Sequence, residues 1–470
     1  MMIMPIWSQS IVILLIVWVT SRMIKRNAPL LQRYFIPSSL IGGALLLLIG
    51  YQALQIIPKD LSLWLGTLPA LLINVVFAGM FIGHQRPTVK KVWQQAGPMI
   101  AFGSTMAWGM YVIGIGLTLL VLAPLFGAPN LFGALLEISF SGGHGTAAGL
   151  APTFEKFGHP EITNIALGLA TLSIVTAVVS GITILNIYNR RFGRILDRAG
   201  MELQQRRMIR RGYDLTRFTR KLEANPREIL VSITLIALAI GIGWLLLKGL
   251  VLAEAWLLAP YTDIRVFAYL PLFPLVMFGG LILQMLLEVS HLSHLVQRNT
   301  IQTLGAIALD LLIITAIGTM SLSAIGHDFA PFIILAVAGV VWTLGAFFVL
   351  APRFFHKHWF EYGMTDLGQA MGMTATGLLL NRLVDPLNRT GARESFAYKQ
   401  LAYEPFMGGG IVTAFAVVAI AEFGPLPVLL VCTIACAFWI IVGLRLGKRR
   451  KAHHHHSDIL ARFAIARHDD

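Results

Sequence analysis

Residues Glu137–Gly149 read E-I-S-F-S-G-G-H-G-T-A-A-G and lie in a strongly apolar part of the chain. These thirteen positions hold four glycines, two serines, a threonine, a histidine and a carboxylate. Glycine lets a backbone leave the helical conformation, but an unwound backbone at membrane depth persists only where protein or water satisfies its amide groups. The stretch therefore predicts a broken, buried segment that lines a binding site rather than a helix that faces lipid.

The composition around this stretch is that of a membrane protein. Of the 470 residues, 56% are hydrophobic and 13% are charged, and the mean hydropathy is +0.72. Soluble domains hold about 25% charged residues, so repeated apolar runs of roughly 17 or more residues indicate a polytopic protein. The first run begins near Met1 without a small-residue cleavage site, which favours a retained helix over a signal peptide.

Two kinds of segment that can enter a membrane follow one another along the chain, and they differ in polarity. Pro129–Phe157 and Trp359–Pro386, the first and second polar segments, are long enough to enter a membrane but too polar and glycine-rich to cross it simply. We expect each to form a re-entrant hairpin. Eleven other segments have the length and composition of a membrane-crossing helix. They are Ile6–Ser21, Ile36–Leu54, Gly66–Gly83, Met99–Ala123, Ile165–Ile187, Ile229–Leu252, Ala268–Glu288, Ile301–Ser323, Phe332–Leu350, Phe406–Glu422 and Leu426–Leu446.

The chain divides into two similar halves. T-A-A-G-L at Thr146–Leu150 parallels T-A-T-G-L at Thr374–Leu378, at matching places in the two polar segments. Because the first half has an odd number of crossings, the second half is inserted upside down, which predicts an all-α fold of two inverted-topology repeats with about five membrane helices each. The predicted parts are a membrane repeat (1–188, with hairpin 129–157), a linker (189–228), a second membrane repeat (229–446, with hairpin 359–386) and a tail (447–470).

The basic residues predict the orientation. With the N-terminus outside, inner loops, among which we count Arg382–Lys399, hold all but four of the 37 Lys and Arg residues, as the positive-inside rule expects. The linker carries twelve basic against five acidic residues. It is a cytoplasmic connector or, alternatively, a surface for anionic lipid. We expect a multi-pass protein of the cell inner membrane whose linker and basic tail are cytoplasmic.

The residues that supply chemistry lie mainly in the two polar segments. Free amides and hydroxyls suit an anion, whereas loop carbonyls and the C-termini of half-helices suit Na⁺. Close packing of helices at glycine is the structural alternative. The predicted substrate-binding residues are Ser141, Gly142, Gly143, His144, Gly145, Thr146, Gly372, Thr374, Thr376, Asn381 and Arg382. Of these, Arg382 is suited to a substrate carboxylate or to pairing with Asp385.

Polar side chains within apolar segments are candidates for the coupling ion. A carboxylate at mid-bilayer costs at least about 2.5 kcal/mol, so it faces a cavity, an ion or a partner. Asp310 fits an ion ligand or an interhelical hydrogen-bonding partner, and Asn74 fits either role too. His144 either titrates during transport or stays neutral as a hydrogen-bonding post for its loop. Glu137 and Asp366, which precede the two glycine-rich loops, either bind Na⁺ or lie near the membrane surface where each hairpin begins. The predicted Na⁺ ligands are Asp310, Glu137, Asp366, Ser139 and Asn74.

The sequence S-G-G-H-G-T-A-A at Ser141–Ala148 resembles the first re-entrant signature of the sodium/glutamate symporter (ESS) family. The arrangement of spans, polar segments and central linker is similar too. The second polar segment departs, because family members carry a proline-containing loop where this chain has G-M-T-A-T-G at Gly372–Gly377. The resemblance implies Na⁺-coupled uptake of glutamate or a related anionic amino acid by a homodimer with moving transport domains.

Other functions stay open on the residues alone. A carrier of a di- or hydroxycarboxylate or a Na⁺/H⁺ exchanger would fit the same architecture. An intramembrane hydrolase would use Ser141 and His144, but a serine hydrolase draws its base from a positioned second element, and the chain holds no G-x-G-D or H-E-x-x-H motif. No cofactor besides Na⁺ and no nucleic acid is expected, and Cys432 and Cys436 are expected to pack in the core.

Overall fold

The structure, a computed structural model, describes residues 5–33, 35–84, 87–192, 225–257, 262 and 265–466, and every regular element in these ranges is helical. The first half contains α1 (Ile6–Asn27), α2 (Pro29–Arg33), α3 (Ser38–Ile49), α4 (Lys59–Leu65), α5 (Leu68–Ala78), α6 (Val89–Leu117), α7 (Ala123–Phe126), α8 (Gly143–Gly149), α9 (Ala151–Lys156) and α10 (Ile162–Phe192). Short 3₁₀ or π turns connect some of them, at Thr118–Leu122, Asn130–Ala134 and Glu137–Ser141.

The second half is also helical in all its described regular elements. It contains α11 (Pro226–Leu257), α12 (Phe273–Val289), α13 (Arg298–Thr319), α14 (Leu322–His327), α15 (Phe329–Phe354), α16 (Trp359–Ala370), α17 (Thr374–Val384), α18 (Ala392–Tyr403), α19 (Ile411–Phe423) and α20 (Pro425–Ala466). The predicted linker Asn189–Glu228 lies mostly outside the described residues, since 193–224 are not described. The predicted tail continues α20 as far as Ala466.

The polytopic membrane class is confirmed. Among the described residues, eight helices are long and apolar enough to cross a membrane, and α3, α12 and α19 are shorter apolar helices. Together they overlap the eleven predicted spans. The eight are Ile6–Asn27, Lys59–Ala78, Val89–Phe126, Ile162–Tyr188, Pro226–Leu257, Arg298–Thr319, Phe329–Phe354 and Pro425–Lys448.

Some helix ends differ from the prediction for local reasons. The span predicted to begin at Phe406 begins as α19 only at Ile411, because Gly408 (φ +68°) and Gly409 (φ +105°) place the backbone in a region that only glycine adopts readily. The span predicted to reach Ser323 ends as α13 at Thr319. Ser321 then starts α14, where its hydroxyl accepts a hydrogen bond from the Ala324 amide.

Helix α6 is buried along much of its length and packs against α15, α16, α18 and α20. Its contact with α15 depends on Gly109, where a Cβ atom would lie 1.9 Å from Cζ2 of Trp342. The Trp342 ring is held there because its Nε1 donates to the Met106 carbonyl at 2.9 Å. The absence of a side chain at Gly109 lets two membrane helices approach closely, as small residues commonly do in membranes.

Gly109→Ala should therefore destabilise the protein by about 1–3 kcal/mol, because the new methyl group overpacks the contact with Trp342. The measurement is the thermal unfolding midpoint Tm of the purified protein in detergent. Gly116→Ala is the matched control on the same helix, since nothing lies within 4 Å of its Cβ position. Its Tm should stay unchanged or rise slightly, and equal Tm values for the two variants would contradict the packing argument.

Candidate functional site

The first polar segment is broken where its sequence predicts. Residues Glu137–Ser141 form a π-helical turn, closed by a hydrogen bond from the Gly142 amide to the Glu137 carbonyl at 3.0 Å. Such turns are rare and occur frequently at functional sites. Gly143 follows with φ +70° and starts α8. Apart from half-buried Gly142, the predicted residues from Ser141 to Thr146 are buried.

The second polar segment is a pair of packed helices, α16 and α17, joined at residues 371–373. They touch at glycine, since a Cβ at Gly368 would lie 2.8 Å from the Thr376 carbonyl oxygen and one at Gly377 would lie 2.7 Å from that of Thr365. Met373, at the turn, has φ +143°. A non-glycine residue held in this region is strained, and such residues cluster at binding and catalytic sites.

A third polar segment, Tyr403–Thr413, was not predicted as part of the site. It joins α18 to α19 and contains the glycine triplet Gly408–Gly410. Its residues contact Glu137, which is buried. Glu137 Oε1 accepts from the Gly408 amide at 2.8 Å and from the Thr413 hydroxyl at 3.1 Å, while Oε2 accepts from the Tyr111 hydroxyl of α6 at 2.8 Å. Three donors from two other parts of the chain therefore compensate this carboxylate.

A chain of polar contacts connects the three segments. The Ser141 hydroxyl lies 3.0 Å from the Tyr403 hydroxyl and accepts from Gln369 Nε2 at 3.4 Å. Lys399 Nζ donates to Gln369 Oε1 at 3.0 Å and to Asp366 Oδ1 at 2.7 Å. The Lys399 and Asp366 side chains are both 0% exposed. The two predicted loops thus meet directly, between Gln369 and Ser141, and also through Lys399 and Tyr403 of α18.

The position of Lys399 corrects the sequence-based assignment, which counted it among the basic residues of an inner loop. Lys399 lies on α18, four residues after Ser395 and four before Tyr403. Residues four apart share one face of a helix, and all three are buried. The ammonium is therefore turned toward Asp366 in the protein interior.

The turns of the three polar segments, called their tips below, pack against one another at Gly143–Thr146, Gly372–Thr376 and Gly408–Gly410. A Cβ at Gly143 would lie 3.6 Å from the Gly372 carbonyl oxygen, and one at Gly409 would lie 2.4 Å from Thr146 Oγ1. At the tip of the second segment, Thr376 packs beside Gly372, and Thr374 donates its hydroxyl hydrogen to Glu404 Oε1. The structure brings together the predicted residues Ser141–Thr146, Gly372, Thr374 and Thr376.

Two predicted substrate residues lie away from these tips. Asn381 donates to the Thr365 hydroxyl at 2.9 Å and accepts from Arg393 at 3.4 Å, so it ties α17 to α16 and α18. Arg382 lies eight residues after Thr374 on α17, which is about 12 Å along a helix. Asp385, its alternative partner, accepts from the Arg389 and Thr390 amides and from the Thr390 hydroxyl.

The remaining predicted residues differ in whether their polar atoms have a hydrogen-bonding partner. Asp310 pairs with Arg22 of α1 at 3.2 Å, and Asn74 donates to the Ala70 carbonyl of its own helix at 2.8 Å. Among the described residues, Asn74 Oδ1 and the Ser139 hydroxyl are buried without a hydrogen-bond partner. His144 Nε2 lies 2.9 Å from the Thr171 hydroxyl. Ser141 and His144 thus bond to different residues, and neither activates the other.

A cavity of ≈ 470 Å³ lies elsewhere, and none of the predicted site residues lines it. Its lining residues are Tyr188 and the six from His356 to Glu361, at the connection between α15 and α16. The residues of the site that sequence reasoning missed are buried instead, except for Glu404 and Gly408, which are half-buried. They are Tyr111, Gln369, Lys399, Gln400, Tyr403, Glu404, Gly408 and Thr413.

Removing the Glu137 carboxylate should destabilise the protein, because three buried donors lose their acceptor. Each buried donor left unsatisfied costs about 1–3 kcal/mol, so we expect Glu137→Leu to lose about 3 kcal/mol or more. Tyr111→Phe removes one donor and should lose about 1 kcal/mol. The measurement is Tm in detergent for both variants. A Glu137→Leu protein as stable as Tyr111→Phe would contradict the role of the carboxylate as a structural hub.

Comparison with known proteins places the chain in a family. A family model described as sodium/glutamate symporter matches residues 5–360. No curated protein matches the sequence. The matched range contains the first polar segment and ends where α16 begins, so Asp366, Lys399 and the third polar segment lie beyond it. Because the match covers well over half of the 470 residues, the chain belongs to the sodium/glutamate symporter family, whose members are membrane transporters and not enzymes.

Proposed function

We propose that this protein is a Na⁺-coupled symporter that takes up glutamate or a related anionic amino acid, with its binding site where the three polar segments meet. The observation that carries the proposal is the meeting of these segments around the buried carboxylates of Glu137 and Asp366, with the Ser141 hydroxyl against that of Tyr403 and the Thr374 hydroxyl bonded to Glu404. Membership in a family of sodium/glutamate symporters supports both the ion and the substrate class.

The charges of the site explain why a cation would travel with the substrate. Glu137, Asp366 and Glu404 are carboxylates, whereas Lys399 supplies one ammonium. An anion that enters this surplus of negative charge pays a desolvation and repulsion cost unless cations bind with it. Binding of Na⁺ and of substrate would then favour each other, which is the thermodynamic basis of coupling.

Two chemical groups of the substrate find complementary partners. A carboxylate suits the N-terminus of α17, where the Thr374 and Ala375 amides precede the first hydrogen bonds of the helix, which the Thr376 and Gly377 amides donate to the Met373 carbonyl. An amino group suits the carboxylate of Glu404, which Thr374 and Gln400 contact through their hydroxyl and amide groups. The Glu404 carboxylate favours an amino acid over a dicarboxylate or hydroxy acid, since those lack the positive group.

The ligands of Na⁺ are proposed from buried oxygens. Glu137 keeps its predicted role, and the unpartnered oxygens of Ser139 and Asn74 are available to an ion. Asp310 is compensated by Arg22, which favours its structural interpretation. For the substrate we keep Ser141–Thr146, Gly372, Thr374 and Thr376. Asn381 and Arg382 are proposed to support α17 rather than to touch the substrate.

The packed tips also bear on mechanism. Because Thr146, Gly143 and Gly409 are buried together, a substrate reaches them only if one element moves away from another. We propose alternating access of the elevator type, in two inverted repeats whose polar segments are re-entrant hairpins, within a homodimer of the cell inner membrane. The N-terminus would lie outside, with the linker and the C-terminus in the cytoplasm, as the distribution of basic residues favours.

The direct test is uptake of labelled glutamate by liposomes that contain the purified protein. An inward Na⁺ gradient should drive accumulation, because Na⁺ and substrate bind together, and K⁺ in place of Na⁺ should not. Competition by unlabelled amino acids and by dicarboxylates without an amino group reports the substrate class. Uptake that is indifferent to Na⁺ would overturn the coupling, and stronger competition by a dicarboxylate than by glutamate would overturn the substrate class.

Substitutions at the segment tips test the location of the site. Ser141→Ala and Thr374→Val each remove a hydroxyl from the meeting point, and we expect uptake at limiting substrate to fall about tenfold or more. Thr433→Val is the matched control, because Thr433 is exposed on α20 and bonds to the Leu429 carbonyl of its own helix. Control-like uptake by both tip variants, at equal amounts of folded protein, would contradict the location.

A further inference from the structure

The buried ammonium of Lys399 has the surroundings of a bound cation. Its Nζ donates to a carboxylate oxygen of Asp366 and to the amide oxygen of Gln369, and it lies 3.8 Å from the centre of the Tyr403 ring. Hard cations prefer carboxylate and amide oxygens, and aromatic faces attract positive charge. The positive charge therefore sits as a metal ion would, although it is covalently attached to α18.

Asp366 depends on this ammonium. Among the described residues, Asp366 Oδ2 has no hydrogen-bond partner, so Lys399 supplies the compensation of the carboxylate. The backbone of α6 packs directly against the ion pair, because a Cβ at Gly103 would lie 2.5 Å from Lys399 Cε and 3.1 Å from Asp366 Oδ2. Removing one partner of a buried ion pair leaves an uncompensated charge, which is strongly destabilising. The pocket therefore requires a positive charge at this point.

The pair is connected to the proposed substrate site. Gln369, which accepts from Lys399, donates through its Nε2 to the Ser141 hydroxyl, and the Tyr403 ring over the ammonium carries the hydroxyl that lies beside Ser141. A positive charge at Lys399 is thus two contacts away from the first polar segment. This is a position from which a coupling cation would act on substrate binding.

We infer that Lys399 is a tethered substitute for one coupling cation. Its ammonium fills a cation site formed by Asp366 and Gln369, so this protein carries one of the required positive charges permanently and moves one Na⁺ fewer per substrate than the same site would without the lysine. The inference deepens the proposed function and rests on it for the identity of the ion. The pair also lies beyond residues 5–360, in the part of the chain that the family model does not match.

Contact of Lys399 with a substrate carboxylate is the competing role, and the geometry disfavours it. Asp366 already neutralises the ammonium at 2.7 Å, and the lysine side chain is 0% exposed. Two of its three hydrogen atoms are directed to protein oxygens, and the Tyr403 ring covers it. A substrate would have to displace a buried carboxylate to reach it, at the cost of leaving that carboxylate unpaired.

The test removes the lysine ammonium so that a free Na⁺ ion can bind to Asp366. Lys399→Met keeps a long unbranched side chain but removes the charge, so Na⁺ should bind at Asp366 in its place. Purified wild type, Lys399→Met, and Lys399→Met combined with Asp366→Asn are compared by Tm in NaCl and in KCl of equal concentration. We expect Na⁺ to raise the Tm of Lys399→Met by several degrees more than that of the wild type. The difference in Tm between NaCl and KCl should be the same in the double variant as in the wild type, because a site without the Asp366 carboxylate needs no cation.

A second measurement counts the ions during transport. In liposomes, the Hill coefficient for Na⁺ in glutamate uptake should be higher for Lys399→Met than for the wild type by about one, since one more Na⁺ must bind in each cycle. The double variant lacks the Asp366 carboxylate, so no additional Na⁺ binds there, and its Hill coefficient, at whatever rate of uptake it retains, should equal that of the wild type. If the wild type shows no Na⁺-driven uptake, the proposed function fails, and the comparison of Tm values still decides whether Lys399 occupies a cation site.

Three results would overturn the inference. The first is a Na⁺-dependent rise in Tm that is equal in Lys399→Met and in the wild type. The second is an additional Na⁺ effect of the same size in the double variant, because Asp366 would then not be the ligand. The third is a Lys399→Met protein that folds in neither salt while the double variant folds. Recovery of folded Lys399→Met in Na⁺ but not in K⁺ would support it.

Discussion

A carboxylate buried in an apolar interior must be compensated by hydrogen-bond donors or by a cation, and the centre of this protein is arranged to meet that requirement. Glu137 receives donors from α6 and from the third polar segment, whereas Asp366 receives the ammonium of α18. Each compensation links elements that are far apart in sequence. Compensation of these two carboxylates therefore holds the first polar segment against α6 and the third polar segment, and holds α16 against α18.

The spans and the first polar segment were predictable because their signals are local. Apolar length reports a membrane helix within one stretch of sequence, and glycines mixed with hydroxyls between Glu137 and Gly149 report a broken one. The second segment was found because T-A-T-G-L repeats the pattern of the first. For the spans and the first segment the information lies within one stretch of neighbouring residues, whereas the second segment was identified by comparing two stretches of the chain.

The partners of the buried groups were not predictable in the same way. Glu137 bonds to Gly408, and Ser141 contacts Tyr403 and Gln369, so the identity of each partner depends on packing across the whole chain. Lys399 was misplaced because a lysine between polar residues resembles a solvated loop. The spacing of Ser395, Lys399 and Tyr403 at four-residue intervals held the relevant signal, since it aligns all three on one helix face. The glycine triplet at Gly408–Gly410 was a second signal, because it shares the composition of the first segment.

The π-helical turn at Glu137–Ser141 has a consequence for how this sequence tolerates change in length. A π turn closes with a hydrogen bond across five residues instead of four, so it accommodates one residue more than an α-helical turn. Deleting one residue here would restore an α-helical turn and leave the residues on the two sides nearly in phase, because five π-helical residues turn the chain through about the same angle as four α-helical residues. The change would fall within the turn itself, which holds Glu137 and the hydroxyls of Ser139 and Ser141. In this segment the number of residues, as well as their type, determines where the carboxylate and the hydroxyls lie.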